Sequence, residues 1–228
     1  MTLFTYDRDG RGMWLVASSV TRQPTGYWQG TLRRTTGPAF NAVPWTETTE
    51  TAVGTLRLAF TDAGKASLSY SVDGISVNKT IERQIFSVPP ACHWSAFDRS
   101  FTTNFQDLWW NPAEPGWGLN ITHQGNILFA TLFTYDLAGR GRWLVMSRGE
   151  LIGDGLYFGE LLTTAGPPFN ASPWTPATAT QAGTLSIQFT RGNAGTISYT
   201  LDGILVVKSI KRQVFGVPAT ECVEPGDE

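Results

Sequence analysis

Cysteine and histidine are almost missing from this chain, with two of each in 228 residues. The cysteines, Cys92 and Cys222, stand far apart and outside any C-x-x-C spacing. Neither His93 nor His123 has a second ligand at metal-binding distance along the sequence. A zinc site and a cysteine-dense framework are both excluded as the basis of the fold. Cys92 and Cys222 either pair with each other or stay free. Charge is scarce as well: 16 % of residues are charged, the formal net charge is −2, and no basic stripe occurs. The electrostatic footprint of a nucleic-acid binder is lacking. No apolar run reaches the length of a membrane-spanning helix, and Ile127–Phe133, among the longest, has strand composition. No signal peptide follows Met1. No nucleophile elbow, phosphate loop, dinucleotide fingerprint or zinc-protease motif appears, and no cofactor is implied.

Aromatic residues are abundant instead: nine Trp, thirteen Phe and six Tyr. Many of them recur, because a long segment is present twice. Leu3-Phe4-Thr5-Tyr6-Asp7 returns as Leu132-Phe133-Thr134-Tyr135-Asp136. The stretch Gly37 to Trp45 returns as Gly166 to Trp174, and Asp73-Gly74-Ile75 as Asp202-Gly203-Ile204. The offset is a constant 129 positions, with no gap as far as Pro89 and Pro218. Identity at about half the paired positions implies one shared fold. The second copy has a leader, Asp107 to Gly118, without a counterpart in the first, which lacks its opening segment.

Periodicity is two in both copies. Leu185, Ile187 and Phe189 alternate with polar residues, as do Ile197, Tyr199 and Leu201; the counterparts are Leu56, Leu58, Phe60 and Leu68, Tyr70, Val72. This is the pattern of a half-buried antiparallel sheet, and no amphipathic helix is visible. Asp73-Gly74 and Asp202-Gly203 mark hairpins. The second copy reads as strands over 117–124, 127–136, 142–149, 156–164, 182–190, 195–201 and 204–215. A Thr/Ala stretch after Trp174 is a candidate eighth. The expected fold is all-β: two homologous up-and-down barrels, or flattened sandwiches, the first without its opening strand. The expected boundaries are a first repeat over 1–91, a linker over 92–104, a second, complete domain over 105–222 and a tail over 223–228. Trp94 and Phe97 of the linker are expected to pack against either domain. The open edge of the first sheet invites strand pairing with another chain or an upstream segment.

On the last strand, Val206, Lys208, Ile210, Arg212 and Val214 share the face kept between copies, so Lys208 and Arg212 should point inward. A buried cation needs a partner or an aromatic face, and Trp117 is the candidate for Arg212. Trp109, Trp110 and Glu114 extend this set as a ligand-like surface, with Tyr135 and Trp143 nearby. The competing reading is that the tryptophans cap the barrel end. His123 reads as a surface histidine beside a turn. Asp7-Arg8-Asp9-Gly10 hints at a calcium loop, but the second copy loses Asp9, and a turn explains both.

A Trp near the start of the first strand under a cation from the last resembles the calycin barrels, though Gly116-Trp117-Gly118 departs from their Gly-x-Trp. That resemblance implies a central cavity for a small apolar ligand. The longer pattern of Leu108 to Asn120, with Thr122-His123-Gln124-Gly125, Phe129 to Asp136 and Arg212-Gln213-Val214-Phe215, is similar to a repeat module of predicted exported proteobacterial proteins, which has no established activity. It implies an extracellular or periplasmic location and a longer parent protein. The functional expectation is a non-catalytic binding module for a glycan or small apolar ligand. The alternative is a structural spacer without a ligand, and an enzyme is the least supported reading.

Overall fold

A computed structural model describes residues 1–223. Only Val223 of the expected tail falls within them. All regular structure in these residues is β, as the alternation requires. The first repeat forms an open, curled sheet of β1 (Thr2–Tyr6), β2 (Gly12–Val16), β4 (Trp28–Thr36), β5 (Thr49–Phe60), β6 (Lys65–Val72) and β7 (Ile75–Glu82), with a short β3 (Thr21–Arg22) beside β4. The second repeat closes into an eight-stranded antiparallel barrel. Its strands are β9 (Asp107–Trp110), β10 (Gly118–Gln124), β11 (Ile127–Tyr135), β12 (Gly141–Gly153), β13 (Leu156–Ala165), β14 (Thr178–Arg191), β15 (Ala194–Leu201) and β16 (Ile204–Arg212).

The eighth strand differs from expectation. The Thr/Ala stretch merely lengthens β14, whereas the Trp-Trp leader itself becomes β9 and closes the barrel. Trp109 faces Arg212 and Trp110 faces Lys211 across the β9–β16 seam. Both Asp-Gly hairpins are confirmed. Asp73 and Gly74 have φ of 49° and 82°, Asp202 and Gly203 52° and 80°. Two consecutive positive φ values are the requirement of a type I′ turn.

The 92–104 segment is not a plain linker. β8 (Ala91–Ala96) pairs with β17 (Ala219–Val223), and a disulfide joins Cys92 to Cys222 across this ribbon. Trp94 and Phe97 remain exposed rather than packing on either domain. The bridge spans 130 residues of sequence, a long closed loop. Cross-links of this kind stabilise by roughly 2–4 kcal/mol, largely through the unfolded chain.

The repeats are interlocked. The Pro-rich excursion of each copy leaves its own sheet and inserts one phenylalanine into the other copy's core. Phe40 is buried inside the barrel near Tyr199, and Phe169 inside the first sheet near Tyr70. The backbone contacts are reciprocal as well. Phe40 N–H donates to Tyr135 O at 3.2 Å and Phe169 N–H to Tyr6 O at 2.9 Å. Gly37 N–H donates to Gly139 O and Gly166 N–H to Gly10 O.

Between these plugs the outer faces of β1–β2 and β11–β12 meet through aromatic rings. Phe4 and Tyr6 touch Trp143, while Trp14 touches Phe133 and Tyr135. Trp14 Nε1 donates to Thr134 O and Trp143 Nε1 to Thr5 O, both at 3.0 Å. Such pairwise reciprocity is that of a two-fold dimer built within one chain. It also explains two glycines: a Cβ on Gly37 would lie 2.4 Å from the Tyr135 ring, and one on Gly166 2.4 Å from Tyr6.

Candidate functional site

Three places in the fold gather the residues that the sequence singled out. The first is the barrel end near the β14–β15 turn. Arg212 points inward, as the kept face of β16 required, and its guanidinium is buried. It lies 4.9 Å over the ring of Trp109, not of Trp117 as the calycin-like arrangement implied. The short β9 brings Trp109 inward directly opposite Arg212, whereas Trp117 lies just before β10, at the other end. Nε donates to Gly192 O, Nη2 to Asn104 O and Nη1 to Gln106 O at 2.7, 3.0 and 3.1 Å. Asp107 completes the cluster at 3.4 Å from Arg212 and 2.6 Å from Arg99. Burial lowers the Arg212 pKa to about 10, against the opposing pull of Asp107, so it remains charged at neutral pH.

His123 belongs to this end and is buried rather than on the surface. Its Nδ1 accepts from Phe105 N–H at 3.0 Å, and its Nε2 meets the Tyr157 hydroxyl at 3.1 Å. An acceptor Nδ1 fixes the proton of the neutral ring on Nε2. Burial lowers the His123 pKa to about 4, with Arg212 adding to the effect. The folded-state value lies below the unfolded one of about 6.5. The stabilisation is therefore complete above pH 6.5 and lost as pH falls toward 4. This single group is expected to remove about 3 kcal/mol across that window. Urea midpoints measured from pH 7 to pH 4, with imidazole resonances followed by NMR, check it. A ring that titrates at its ordinary value in the folded protein would refute the assignment.

The second place is the opposite barrel end. Lys208 is buried and paired with Glu114, which also accepts from Trp117 Nε1 at 3.1 Å. Its ammonium lies 5.2 Å from the ring of Trp117 and 4.6 Å from that of Trp45. Trp45 comes from the first repeat's excursion and donates through Nε1 to Pro115 O at 2.9 Å. Two tryptophans and one carboxylate thus enclose the cation. Trp109 and Trp117 offer no open ring face, and Trp110 is half-buried in β9. The barrel axis between the two ends is filled by buried side chains including Leu119, Leu132, Leu185 and Tyr199.

The third place is the junction between repeats, where a cleft of about 780 Å³ opens. Trp143 lines it; of the other sequence-predicted residues, Tyr135 lies in the adjoining interface, its hydroxyl donating to Gly116 O at 2.7 Å and its pKa pushed up to about 12 by burial. Sequence reasoning missed the rest of the cleft. Arg8, Arg11, Arg34, Arg140 and Arg142 line it with Asp7, Asp9, Asp73 and Asp136. Most of these charges are paired with one another. Arg34 meets Asp73 at 2.8 Å, and Arg142 meets Asp202 just beyond at 2.6 Å. The Arg11 guanidinium holds Asp9 below the usual carboxylate range. Thr35 and Thr164, equivalent in the two repeats, also line the cleft. Both hydroxyl oxygens are buried; that of Thr164 has no hydrogen-bond partner among the described residues, whereas that of Thr35 lies beside the Tyr135 hydroxyl. The available signal was that Asp73 and Asp202 are kept between copies while the arginine that meets each comes from a different strand.

Among the described residues no group of three or more His, Cys, Asp or Glu is placed to hold a metal ion, and no helix is long and apolar enough to cross a membrane. No protein-family model, curated protein or solved structure matches the chain.

Proposed function

We propose that the chain is a non-catalytic recognition module, working outside the cytoplasm, that holds a glycan in the cleft between its repeats. The observation that carries this reading is the cleft itself, with the buried Thr164 hydroxyl, which has no hydrogen-bond partner among the described residues, on its wall. Buried polar atoms without partners are uncommon, and a ligand hydroxyl or water would satisfy them. Five arginines against four aspartates leave the lining nearly neutral. A neutral, hydroxylated ligand suits such a wall better than an anion does. The half-buried Trp143 adds an apolar edge for a sugar ring. The packed barrel axis weighs against a small apolar ligand, and the disulfide fits an oxidising compartment.

Titration of the intact chain with neutral hexose and N-acetylhexosamine oligosaccharides, and with fatty acids as the apolar arm, tests the reading through tryptophan fluorescence. Saturable binding of an oligosaccharide is expected, weakened about tenfold by Thr164→Val, the cost of about one hydrogen bond. Thr164→Val should leave thermal stability nearly unchanged. No response to any oligosaccharide at millimolar concentration would sink the proposal. The second reading, a spacer without a ligand, draws on the interlocked plugs and on the burial of Trp109 and Trp117, and it predicts silence across the whole panel.

A further inference from the structure

The barrel closes at a short seam. β9 meets β16 at two register pairs, Trp109 with Arg212 and Trp110 with Lys211, and Gln213 N–H donates to Leu108 O at 2.7 Å just beyond them. The β15–β16 ladder, by contrast, runs unbroken from Ala194 opposite Lys211 to Leu201 opposite Ile204. A seam with so few ladder bonds depends on the side chains that cross it. Asp107 of β9 lies 3.4 Å from the Arg212 guanidinium, and the Trp109 ring lies under the same cation. Asp107 is held in turn by Arg99, at 2.6 Å.

Arg99 belongs to the segment that covers this barrel end, and that segment is fastened from outside the barrel. The Arg99 guanidinium also donates to Thr220 O at 3.0 Å, and the Thr102 hydroxyl donates to the Glu221 carboxylate. Gly192 N–H donates to Ser100 O at 2.9 Å, which ties the segment to the turn whose Gly192 O receives Arg212 Nε. Thr220 and Glu221 are residues of β17, and among the described residues β17 has one strand partner, β8. Little else holds this ribbon. Five of the six residues of β8 are exposed, Trp94 to 75 %. A two-stranded ribbon without a hydrophobic face is marginal in water. The Cys92–Cys222 bond joins the ribbon at a directly opposed pair. It is the firmest fastening of β17, and through Thr220 and Glu221 it reaches Arg99, Asp107 and the seam.

We propose that the Cys92–Cys222 disulfide is a redox latch on barrel closure: oxidised, it holds β9 against β16, and reduced, it lets that seam open. The reductant is a dithiol. Its thiolate attacks the sulfur of Cys92, on the exposed strand, and the buried Cys222 leaves as a thiolate. The second thiol of the reductant then displaces Cys92. Two electrons pass to the protein, the two protons of the dithiol end on the two cysteines, and the reductant leaves as a disulfide. β17 then separates from β8, and Arg99 and Thr102 lose their acceptors on it. Asp107 is left with an arginine on an unfastened segment, and the two-pair seam frays. The remaining strands keep their ladders and their packed core, so the opening is local. An oxidising compartment keeps the barrel closed, and a reducing one opens it.

Amide exchange of the intact chain, before and after reduction by millimolar dithiothreitol under native conditions, is the test. Reduction also lowers overall stability, so the readout is the difference between regions. Exchange over Leu108–Trp110 and Lys211–Gln213 should accelerate about tenfold more than exchange over β5 and β6 of the first sheet. Reoxidation should restore the seam. In an Arg99→Met chain the seam should exchange fast with the disulfide intact, and the further tenfold step on reduction should vanish, because the path from ribbon to seam is already cut. Acceleration that is uniform across both repeats would make the disulfide an ordinary cross-link and overturn the proposal. So would a seam that stays protected after reduction, or a disulfide that resists dithiothreitol in the folded chain. Persistence of the tenfold step in Arg99→Met would overturn it as well, since the ribbon would then not act through Arg99.

Discussion

Phe40→Ala is expected to weaken the barrel of the second repeat, and Phe169→Ala the sheet of the first, each by about 3–5 kcal/mol. The rings are fully or nearly fully buried, and each lies in the hydrophobic core of the repeat to which it does not belong. Truncation leaves a cavity that neighbouring strands, fixed by their ladders, cannot fill. The backbone anchors remain, because Tyr199 and Tyr70 donate their hydroxyls to the carbonyls of Phe40 and Phe169, not to the rings. The variants should therefore keep their topology and lose stability. Urea unfolding gives the size, and native-state amide exchange gives the location. Phe40→Ala should lower protection first over 185–201 and Phe169→Ala over 56–72. Loss confined to the mutated repeat's own strands would show that the plugs do not carry cross-repeat stability. If they do, the two repeats unfold in one cooperative step although each has a core of its own.

The sequence was legible where one local rule sufficed. Period-two alternation located strands such as β15 and β16 because each has one dry face. The positive-φ pairs Asp73-Gly74 and Asp202-Gly203 announced hairpins because few other residues tolerate that geometry. The inward direction of Lys208 and Arg212 was legible because the two copies keep one face of that strand and vary the other. The β9 strand was not legible. Four residues, Asp107 to Trp110, are too few for alternation to register, and the prolines that follow made the segment look like a loop.

The junction was missed for a different reason. Alternation assumes one wet face, yet β1 and β11 are dry on both. Phe4 and Tyr6, like Phe133 and Tyr135, lie on the outer face, and that face is kept between copies as firmly as the inner one. Two kept faces on one strand mean two packing partners, and the second partner here is the other repeat. The excursion Gly37 to Trp45 carried a similar signal. A loop that preserves Gly, Pro, Phe, Asn and Trp across a duplication is held by contacts, and these contacts lie in the neighbouring repeat. The misassigned Arg212 partner has the same origin as the missed strand: with β9 read as a loop, Trp117 was the nearest aromatic on a recognised strand.

The second large effect belongs to Arg212, and the repeat supplies its control. Arg212→Met is expected to cost about 3–5 kcal/mol, the range for breaking a buried, hydrogen-bonded ion cluster by removing one partner. Methionine fills much of the volume beside Trp109, so the loss is not mainly one of packing. It comes from the carbonyls of Gly192, Asn104 and Gln106, which all lose their donor in a dry site. Asp107 retains Arg99 and is not stranded. Arg212→Lys should recover only part of the loss, because an ammonium cannot place donors in the planar fork that three divergent carbonyls require. Arg83→Met changes the equivalent residue at the equivalent strand end, but Arg83 is exposed and has no ion pair among the described residues. Its effect should stay within about 0.5 kcal/mol. Urea unfolding of the three variants decides the matter. Similar costs at positions 83 and 212 would mean that the hairpin over Arg212 contributes nothing to the value of the cation. A large difference would measure what closing the barrel does to one arginine that the duplication otherwise left unchanged.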